Sequence, residues 1–160
     1  MKWKNKMTIE VRKIDKTEYG QVVEIFNNYR IFYKQASNLE LAQSYLKERL
    51  ANNEAHIFMA FSKEEEQPLA FTLLYPKFSS VSAIKNWHIG DLYVNPQHRK
   101  LGIGNKLLET AINFARQENA LFVSLNTALD NYGAQNLYES FGFEKREATP
   151  GYLYYHYNLD

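Results

Sequence analysis

The segment from Ile84 to Arg116 constrains the fold more than any other part of the chain. It begins with an apolar stretch, residues 84–94, that stops at Asn95–Pro96, because proline cannot continue a β ladder. A polar turn with Gly102 and Gly104 follows and leads into apolar residues at helical spacing, namely Leu107, Leu108, Ala111, Ile112 and Ala115. The N–H groups at such a helix start point toward bound anions. The segment therefore predicts a strand, a phosphate-binding turn and a helix.

The other strands and helices are predicted from periodicity and turn residues. Before this segment we expect a strand at 8–14, helices opened by the capping boxes Asp15–Glu18 and Ser37–Glu40, and a hairpin of strands 55–61 and 69–75. After it we expect a strand at 121–125, a helix within 130–141 ended by Gly142, and strands 143–146 and 152–159 around the turn 149–151. The central strand-helix-strand step predicts a mixed α/β sheet with one parallel pair.

Composition limits the kind of protein. A length of 160 residues suits one domain, which we expect to span residues 8–160. Nineteen basic and eighteen acidic side chains give a net charge of +1, so a nucleic-acid or anionic-membrane partner is not expected. The sequence contains no cysteine, no histidine pair with metal-ligand spacing, no signal peptide and no run of about 20 apolar residues. We therefore expect a cytoplasmic protein without a metal or a disulfide.

Two motifs indicate a family. The turn matches neither a P-loop nor a dinucleotide-binding fold, because it lacks Gly-Lys-Ser/Thr and a third glycine. Arg99-x-x-Gly102-x-Gly104, after a strand ending in 91–94, resembles the acyl-CoA-binding motif of GNAT N-acetyltransferases. Residues 131–143, an asparagine followed by Ala-x-x-Leu-Tyr-x-x-x-Gly-Phe, look like the fourth-helix signature of that superfamily, and most like its polyamine acetyltransferases. The implied GNAT acyl-CoA N-acyltransferase fold is α/β, a mixed, mostly antiparallel sheet of six to seven strands with about four helices.

The resemblance implies acetyl-CoA as the acyl donor and assigns its contacts. Backbone groups of Leu92, Tyr93 and Val94 would pair with the pantetheine arm, as an added strand pairs with a sheet edge. The pyrophosphate would be held by seven consecutive residues, Arg99, Lys100, Leu101, Gly102, Ile103, Gly104 and Asn105. Asn131 would contact the cofactor near its reactive end, and Tyr138 would hydrogen-bond the sulfur and protonate it. Gly90, in mid-strand, predicts a bulge that opens the sheet for the cofactor.

The base that activates the amine is less clearly indicated. An amine with a pKa of about 10.4 must lose a proton before it attacks the thioester, and direct transfer is expected because the sequence has neither cysteine nor an evident serine triad. Polyamine acetyltransferases usually carry a glutamate before the aspartate of this strand, but Gly90 precedes Asp91 here. We assign the base to Asp91, with His88 or a partly deprotonated substrate as alternatives. Alternation places Asp91 and His88 on opposite faces unless a bulge intervenes.

Aromatic residues indicate where the acceptor binds. Five of them fall at predicted helix ends and loops and either belong to the core or line an amine-binding cleft, namely Tyr29, Phe32, Tyr33, Tyr75 and Phe78. The expected acceptor is a small primary amine, such as a polyamine or an aminoglycoside, or a protein lysine. A non-catalytic acyl-CoA-binding or regulatory protein is the alternative, because the glutamate is missing. Large side chains on both faces of strand 152–159 predict a homodimer.

Overall fold

A computed structural model describes residues 7–147 and 151–159. Its contacts divide the chain into two units, one ending at Asn126 and one beginning at Thr127. The sheet of the first unit contains five strands: β1 (Ile9–Lys13), β2 (His56–Ser62), β3 (Pro68–Ser79), β4 (Ile84–Val94) and β5 (Val123–Leu125). The strands lie in sequence order, and only the β4–β5 pair is parallel. The predicted mixed sheet with one parallel pair is confirmed.

Three α-helices cover the sheet of the first unit: α1 (Val23–Phe32), α2 (Leu39–Ala51) and α3 (Ile103–Gln117). Short 3₁₀ helices, Tyr19–Gln21 and Pro96–His98, precede α1 and α3. The side chain of Asn38 caps α2 by accepting a hydrogen bond from the Leu41 N–H group at 2.9 Å, so the cap lies one residue after the expected Ser37. In the described residues, no helix is long and apolar enough to cross a membrane.

The core lies on both faces of the sheet. On one face, apolar residues of α1 and α2 form a cluster with alternate strand residues, including Ile57, Met59, Phe71 and Leu73. On the opposite face, Phe114 of α3 packs against Phe58 at 5.5 Å and against Trp87 at 4.9 Å between ring centres. Because both faces are covered, β2, β3 and β4 are rich in apolar residues with little alternation.

The second unit contains helix α4 (Tyr132–Phe141). Asn131 caps its start by accepting a hydrogen bond from the Ala134 N–H group at 3.2 Å, and Gly142 ends it with a left-handed φ of 119°. The predicted helix and its glycine cap are confirmed.

The expected strands 143–146 and 152–159 are not formed in the structure. Within 143–147 and 151–159 no residue belongs to a strand, so the described chain has five strands rather than six to seven. The prediction was wrong because it used side-chain pattern alone, whereas a strand also needs a partner for its backbone groups. The large side chains of the last segment are exposed, from 79% at Tyr152 to 91% at Leu159. Thr149 and Pro150 of the expected turn lie outside the described residues.

Candidate active site

Strand β4 contains a bulge at Gly90. Asp91 pairs with Leu73 of β3, and Ile89 pairs with Leu74, so Gly90 is an additional residue without a partner on β3. The bulge predicted from the sequence is confirmed. The additional residue interrupts the alternation of side chains between the two faces of the sheet along β4.

The bulge brings Asp91 and His88 to the same face of the sheet. Asp91 lies opposite Leu73 and His88 lies opposite Tyr75, and cross-strand partners share a face. Leu73 and Tyr75 are two residues apart, so they also share a face, and Leu73 belongs to the cluster formed with α1 and α2. Strict alternation would have placed Asp91 and His88 on opposite faces. Both candidate bases therefore face the helices α1 and α2.

A tyrosine ring fills the space above Gly90. A Cβ atom at this position would lie 2.4 Å from Cε2 and 2.7 Å from Cδ2 of Tyr75, both closer than real Cβ contacts. The Tyr75 hydroxyl group in turn hydrogen-bonds the hydroxyl group of Tyr45 on α2. Glycine at position 90 is therefore required by the neighbouring ring as well as by the bulge. A glutamate here would have to displace Tyr75.

Asp91 lies in an environment that shifts its protonation. Burial raises the pKa of Asp91 to about 6, and a hydrogen bond from the Tyr29 hydroxyl group opposes this shift. Burial, followed by the negative charge of Asp91, raises the pKa of Tyr29. The pKa of Tyr75 is raised by burial, by its hydrogen bond with Tyr45 and by the charge of Asp91. The carboxyl group is thus close to two phenols that stay protonated. With a pKa near neutrality, it can accept a proton from a substrate and release it again.

His88 is held by strand β5. Its Nδ1 atom lies 2.9 Å from the hydroxyl oxygen of Ser124, its partner in the parallel ladder. Burial, followed by the positive charge of Lys77, lowers the pKa of His88 below its ordinary value of 6.5. The imidazole is therefore neutral at pH 7, and one of its nitrogen atoms is already engaged.

The end of β4 presents backbone groups away from β3. In the described part of the chain, β5 pairs with β4 only over Trp87–Ile89. The Asn95 N–H group donates to the Leu69 carbonyl at 2.9 Å, and the Asp91 carbonyl accepts from the Thr72 hydroxyl group at 2.9 Å, so these backbone groups face β3. Because direction alternates along a strand, the backbone groups of Leu92 and Val94 point away from β3. This edge can pair with an extended ligand.

The start of α3 fits an anionic ligand. Gly102 precedes the helix with a left-handed φ of 78°. The space above its Cα atom is open, since no atom lies within 4 Å of the position that a Cβ would take. No side chain caps α3, and its first turn contains no acidic residue. The first N–H group that donates within α3 is that of Lys106, to the Gly102 carbonyl at 3.2 Å, so the N–H groups of Ile103 to Asn105 have no partner in the helix and can bind phosphate oxygens. Arg99 and Lys100 are exposed beside this turn, so they can neutralise a bound anion.

Arg99 connects this turn to the strand and to two aromatic rings. Its Nε atom donates to the Val94 carbonyl oxygen at 3.0 Å. Its guanidinium group lies 5.5 Å from the ring centre of Phe32 and 5.8 Å from that of Tyr93. Arg99 is therefore between the turn and the aromatic residues of α1.

Three of the five expected acceptor-binding aromatics form one group at the end of α1. Ring centres are 5.0 Å apart for Tyr29 and Tyr33 and 5.2 Å apart for Phe32 and Tyr33. Tyr75 lies near the same carboxylate as Tyr29. Phe78 is three residues further along β3, opposite Lys85, with its side chain 75% exposed. The structure thus brings Tyr29, Phe32, Tyr33 and Tyr75 toward Asp91.

Two tyrosines of this region were not identified from the sequence. Tyr45 reaches Tyr75 from the second helix, and Tyr93 packs against Tyr29 at 6.1 Å and Phe32 at 6.2 Å. In the sequence, Tyr45 is only one of the apolar residues at helical spacing within 39–50, and Tyr93 is only part of an apolar strand. Nothing in local spacing reveals that their side chains meet residues far along the chain.

The second unit holds the remaining expected site residues. Asn131 is the N-cap of α4, and Tyr138 lies in its second turn with its ring centre 6.0 Å from that of Phe143. The side chain of Asn131 therefore has a structural role, which is to cap the start of α4.

Comparisons with known proteins agree on one family. The model of the acetyltransferase (GNAT) family matches residues 20–143. The uncharacterized N-acetyltransferase YhfO of Bacillus subtilis (strain 168) is 37% identical over 151 residues, which cover 94% of this chain and 98% of that protein.

Solved structures show the same fold. A crystal structure of a probable acetyltransferase has a TM-score of 0.85 and 31% identity, covering 94% of this chain and 99% of the other. A predicted acetyltransferase from Clostridium acetobutylicum, solved with acetyl-CoA, has a TM-score of 0.72 and 20% identity, covering 93% and 96% of the two chains.

Proposed function

The chain belongs to the GNAT family of acetyltransferases, and we propose that it transfers an acetyl group from acetyl-CoA directly to a primary amine. GNAT enzymes use acetyl-CoA, which supplies an acyl group activated as a thioester. One observation carries the proposal: a partly buried carboxylate, Asp91, lies on the same strand whose end leads into the uncapped start of α3. A base and a donor site are thus positioned by one rigid element. An enzyme accounts for this better than the non-catalytic alternative.

The donor is proposed to bind along the end of β4 and the start of α3. The backbone groups of Leu92 and Val94 would pair with the pantetheine arm, which is supported by their direction, whereas alternation turns the backbone groups of Tyr93 toward β3. The diphosphate would accept hydrogen bonds from the N–H groups of residues 101–105 and be neutralised by Arg99 and Lys100. Asn131 is proposed to contact the donor, because residues 131–143 resemble the fourth-helix signature of the family.

Asp91 is proposed as the general base. An alkylammonium group with a pKa of about 10.4 is charged at neutral pH, so it is attracted to the carboxylate before it loses its proton. A pKa of about 6 keeps Asp91 ionised at neutral pH while leaving it basic enough to take the proton. The Tyr29 hydroxyl group orients the carboxylate. Tyr138 is proposed to donate a proton to the departing sulfur, which is supported by the motif in residues 131–143.

The acceptor is proposed to bind beside Asp91, against Tyr29, Phe32, Tyr33, Tyr75 and Phe78. Support comes from the ring contacts of the first three and from the position of Tyr75 next to the carboxylate. A polyamine, an aminoglycoside and a protein lysine all provide the required primary amine. We further propose that residues 8–160 act as one acetyltransferase domain, and that the protein is cytoplasmic.

The proposed reaction is tested by measuring free CoA released from acetyl-CoA with a panel of primary amines. We expect amine-dependent release by the wild-type protein. Asp91→Asn should lower kcat/KM by about 10²-fold or more, since general-base catalysis contributes this much. The matched control Glu10→Gln, an exposed carboxylate on the far edge strand β1, should keep wild-type activity. Full activity in Asp91→Asn would exclude Asp91 as the base.

A second measurement addresses Tyr138. We expect Tyr138→Phe to lower kcat while acetyl-CoA binding, measured by calorimetry, stays unchanged. If turnover by Tyr138→Phe equals that of the wild type at every pH, another group protonates the sulfur. If wild-type protein does not bind acetyl-CoA in the calorimeter, the whole proposal is wrong.

A homodimer is also proposed. The segment 152–159 carries six large apolar side chains that are 79–91% exposed, and a second copy of the chain can cover them. Sedimentation equilibrium at micromolar concentration should give twice the chain mass of 18.8 kDa. A strictly monomeric mass would contradict the proposal.

A further inference from the structure

The hydroxyl group of Tyr45 connects helix α2 with the surroundings of Asp91. It is hydrogen-bonded to the hydroxyl group of Tyr75 on β3. Tyr75 in turn lies close enough to Asp91 for the carboxylate charge to raise the pKa of its phenol. Within the described residues, Tyr45 itself forms no hydrogen bond with Asp91. Any effect of Tyr45 on the carboxylate therefore passes through Tyr75.

The ring of Tyr45 is fixed by its neighbours on the helices. It stacks on the ring of Phe26 from α1, with 5.7 Å between ring centres and an angle of 9° between the ring planes. The guanidinium group of Arg49, about one helical turn further along α2, lies 5.3 Å from the Tyr45 ring centre. Arg49 is itself 2.6 Å from a carboxylate oxygen of Glu48 and 2.6 Å from one of Glu54. The hydroxyl group of this tyrosine is therefore held at a fixed point on α2.

The position of Tyr75 depends on that fixed point. Its ring lies over Gly90, which has no side chain to pack against it, and a Cβ atom there would come within 2.4 Å of the ring. In the part of the chain that the structure describes, the Tyr45 hydroxyl group is the one hydrogen-bond partner of the Tyr75 hydroxyl group. A buried tyrosine hydroxyl group usually has such a partner. The bond to α2 therefore determines where the Tyr75 ring lies above β4.

The position of the Tyr75 ring affects the solvation of Asp91. Asp91 is partly buried, and burial is what raises its pKa to about 6. The ring covers the residue that precedes Asp91 in the strand, so it excludes water from that side of the carboxylate. The hydrogen bond from Tyr29 acts in the opposite direction, because it favours the ionised carboxylate. Tyr75 thus belongs to the groups that keep Asp91 basic.

The other titratable and charged groups around Asp91 and Tyr75 do not replace this effect. They are Tyr29 and Tyr33 of α1, Arg49 of α2, and His88 and Tyr93 of β4. Arg49 is paired with two glutamates, and His88 is neutral at pH 7 because burial and the charge of Lys77 lower its pKa. Neither residue therefore presents an uncompensated positive charge to the carboxylate. Burial remains the main cause of its basicity.

We propose that Tyr45 is a positioning residue for acetyl transfer: its hydroxyl group holds Tyr75 over Gly90 and thereby keeps water away from Asp91. This inference rests on the proposed role of Asp91 as the general base. Without the hydroxyl group of Tyr45, the Tyr75 ring is free to leave its position, water reaches the carboxylate, and Asp91 becomes a weaker base. A helix residue outside the proposed donor and acceptor sites thus influences the proton transfer.

Tyr45→Phe tests the inference, because it removes one hydroxyl group and keeps the ring that contacts Phe26 and Arg49. The pKa of Asp91 is measured by carbon NMR titration of its side-chain carboxyl signal, which is identified by its loss in Asp91→Asn. We expect a pKa of about 6 in the wild type and a value lower by at least about 0.5 in Tyr45→Phe, toward the ordinary value of 3.8. An unchanged pKa in Tyr45→Phe would overturn the inference.

Two further variants make the result specific to the bond between the two phenols. Tyr75→Phe breaks the same hydrogen bond from the other side and should lower the pKa of Asp91 by a similar amount, and the double variant should lower it no further. Tyr19→Phe is the matched control, since Tyr19 packs against the same core and its hydroxyl group has no hydrogen bond in the described residues. It should leave the pKa of Asp91 at the wild-type value. If the two single effects add in the double variant, the hydroxyl groups act separately and the proposal is wrong.

Activity separates this inference from the proposed function. The acidic limb of the pH profile of kcat/KM should move to lower pH in Tyr45→Phe by the same amount as the pKa of Asp91, while the Kd for acetyl-CoA stays unchanged. If the wild type acetylates amines but neither the titration nor the acidic limb changes in Tyr45→Phe, the reaction stands and the inference fails.

The opposite results affect the proposed function. If the pKa of Asp91 falls in Tyr45→Phe but the wild type acetylates no amine, the effect of Tyr45 on Asp91 stands and the proposed reaction fails. If the pKa falls while the acidic limb stays in place, Asp91 is not the base, and the role of Tyr45 in acetyl transfer is excluded with it.

Discussion

At the scale of single residues, the site depends on two neighbours in β4. Gly90 leaves room for the Tyr75 ring and is the extra residue of the bulge. The bulge turns Asp91 toward Tyr29 and Tyr75, where burial disfavours its charged form. The ionised Asp91 therefore lowers the stability of the folded protein at neutral pH. Such destabilising groups are common in active sites.

This cost predicts the effect of Asp91→Asn on stability. The pKa of Asp91 is raised from 3.8 to about 6, so the native state binds this proton more tightly than the unfolded state does. Wild-type stability consequently falls as pH rises through this interval, and the full cost is present above it. We expect Asp91→Asn to increase the free energy of unfolding at neutral pH by on the order of 1–3 kcal/mol.

The gain should disappear as the pH falls through about 6 toward about 4, because both states of the wild type then bind the proton. Urea unfolding of both proteins across this pH range measures the difference. The other groups around the carboxylate, Tyr29 and Tyr75, do not titrate in this range because their pKa values are raised. If Asp91→Asn is less stable than the wild type, or if the difference in unfolding free energy does not change with pH, the carboxylate is ionised in the native state without a cost in stability.

Gly90→Ala tests the contact with Tyr75. The new Cβ atom would lie 2.4 Å from the ring, so the ring or the strand must move, and we expect a loss of about 1–3 kcal/mol in unfolding free energy. In a Tyr75→Ala background the same substitution should cost less than about 1 kcal/mol, because the colliding ring is gone. Equal costs in the two backgrounds would indicate that the bulge backbone, rather than the ring, requires glycine.

At the scale of elements, the proposed donor site depends on how α3 begins. Side chains commonly cap the first N–H groups of a helix, but the N-cap residue of α3 is Gly102, which has no side chain to offer. Asn38 and Asn131, in contrast, cap α2 and α4 through their side chains. This difference leaves the first turn of α3 available to a phosphate.

Gly102→Ala should therefore weaken the site through the backbone. Its φ of 78° is unfavourable for alanine, so we expect a loss of about 1 kcal/mol in stability and a Kd for acetyl-CoA at least about fivefold higher. Gly20→Ala is the matched control: it lies in a 3₁₀ helix, has open space around it and does not have a left-handed φ. Calorimetry measures both Kd values. Unaltered binding by Gly102→Ala would exclude this turn from the donor site.

At the scale of the whole molecule, the residues proposed for the activity come from two units with separate contacts. The first unit holds the sheet and Asp91, and the second holds α4 with Asn131 and Tyr138. A ligand that binds only the native state stabilises that state, and hydrogen exchange shows in which segments the protection increases. Ligand-induced stabilisation can therefore report which parts of the chain respond to the donor.

We expect acetyl-CoA at 100 times its Kd to raise the free energy of unfolding by about 2.7 kcal/mol. Hydrogen exchange should show added protection at the start of α3 and, if Asn131 and Tyr138 contact the donor as proposed, in α4 as well. The matched control is acetyl-CoA added to Gly102→Ala at the same concentration, which should give a smaller gain. Protection at α3 without protection at α4 would remove Asn131 and Tyr138 from the site.

Local sequence determined most of the elements and the glycine turn before α3. Helical spacing predicted α3, the Gly102 turn was recognisable because glycine is needed for a positive φ, and Gly90 predicted the bulge. These features depend on residues close together in the chain. The resemblance to the family follows from the same short-range motifs, which is why fold and enzyme class were predicted correctly.

Tertiary structure alone decided the surroundings of Asp91. Tyr29, Tyr45 and Tyr75 come from two helices and a neighbouring strand, and their contacts depend on register and packing across tens of residues. The number of strands was also decided at this level, since the large side chains of 152–159 are not accompanied by strand pairing in the described residues. Periodicity specifies which face of an element is apolar. Only the folded chain specifies which groups that face meets, because the energies of burial and pairing belong to contacts between distant residues.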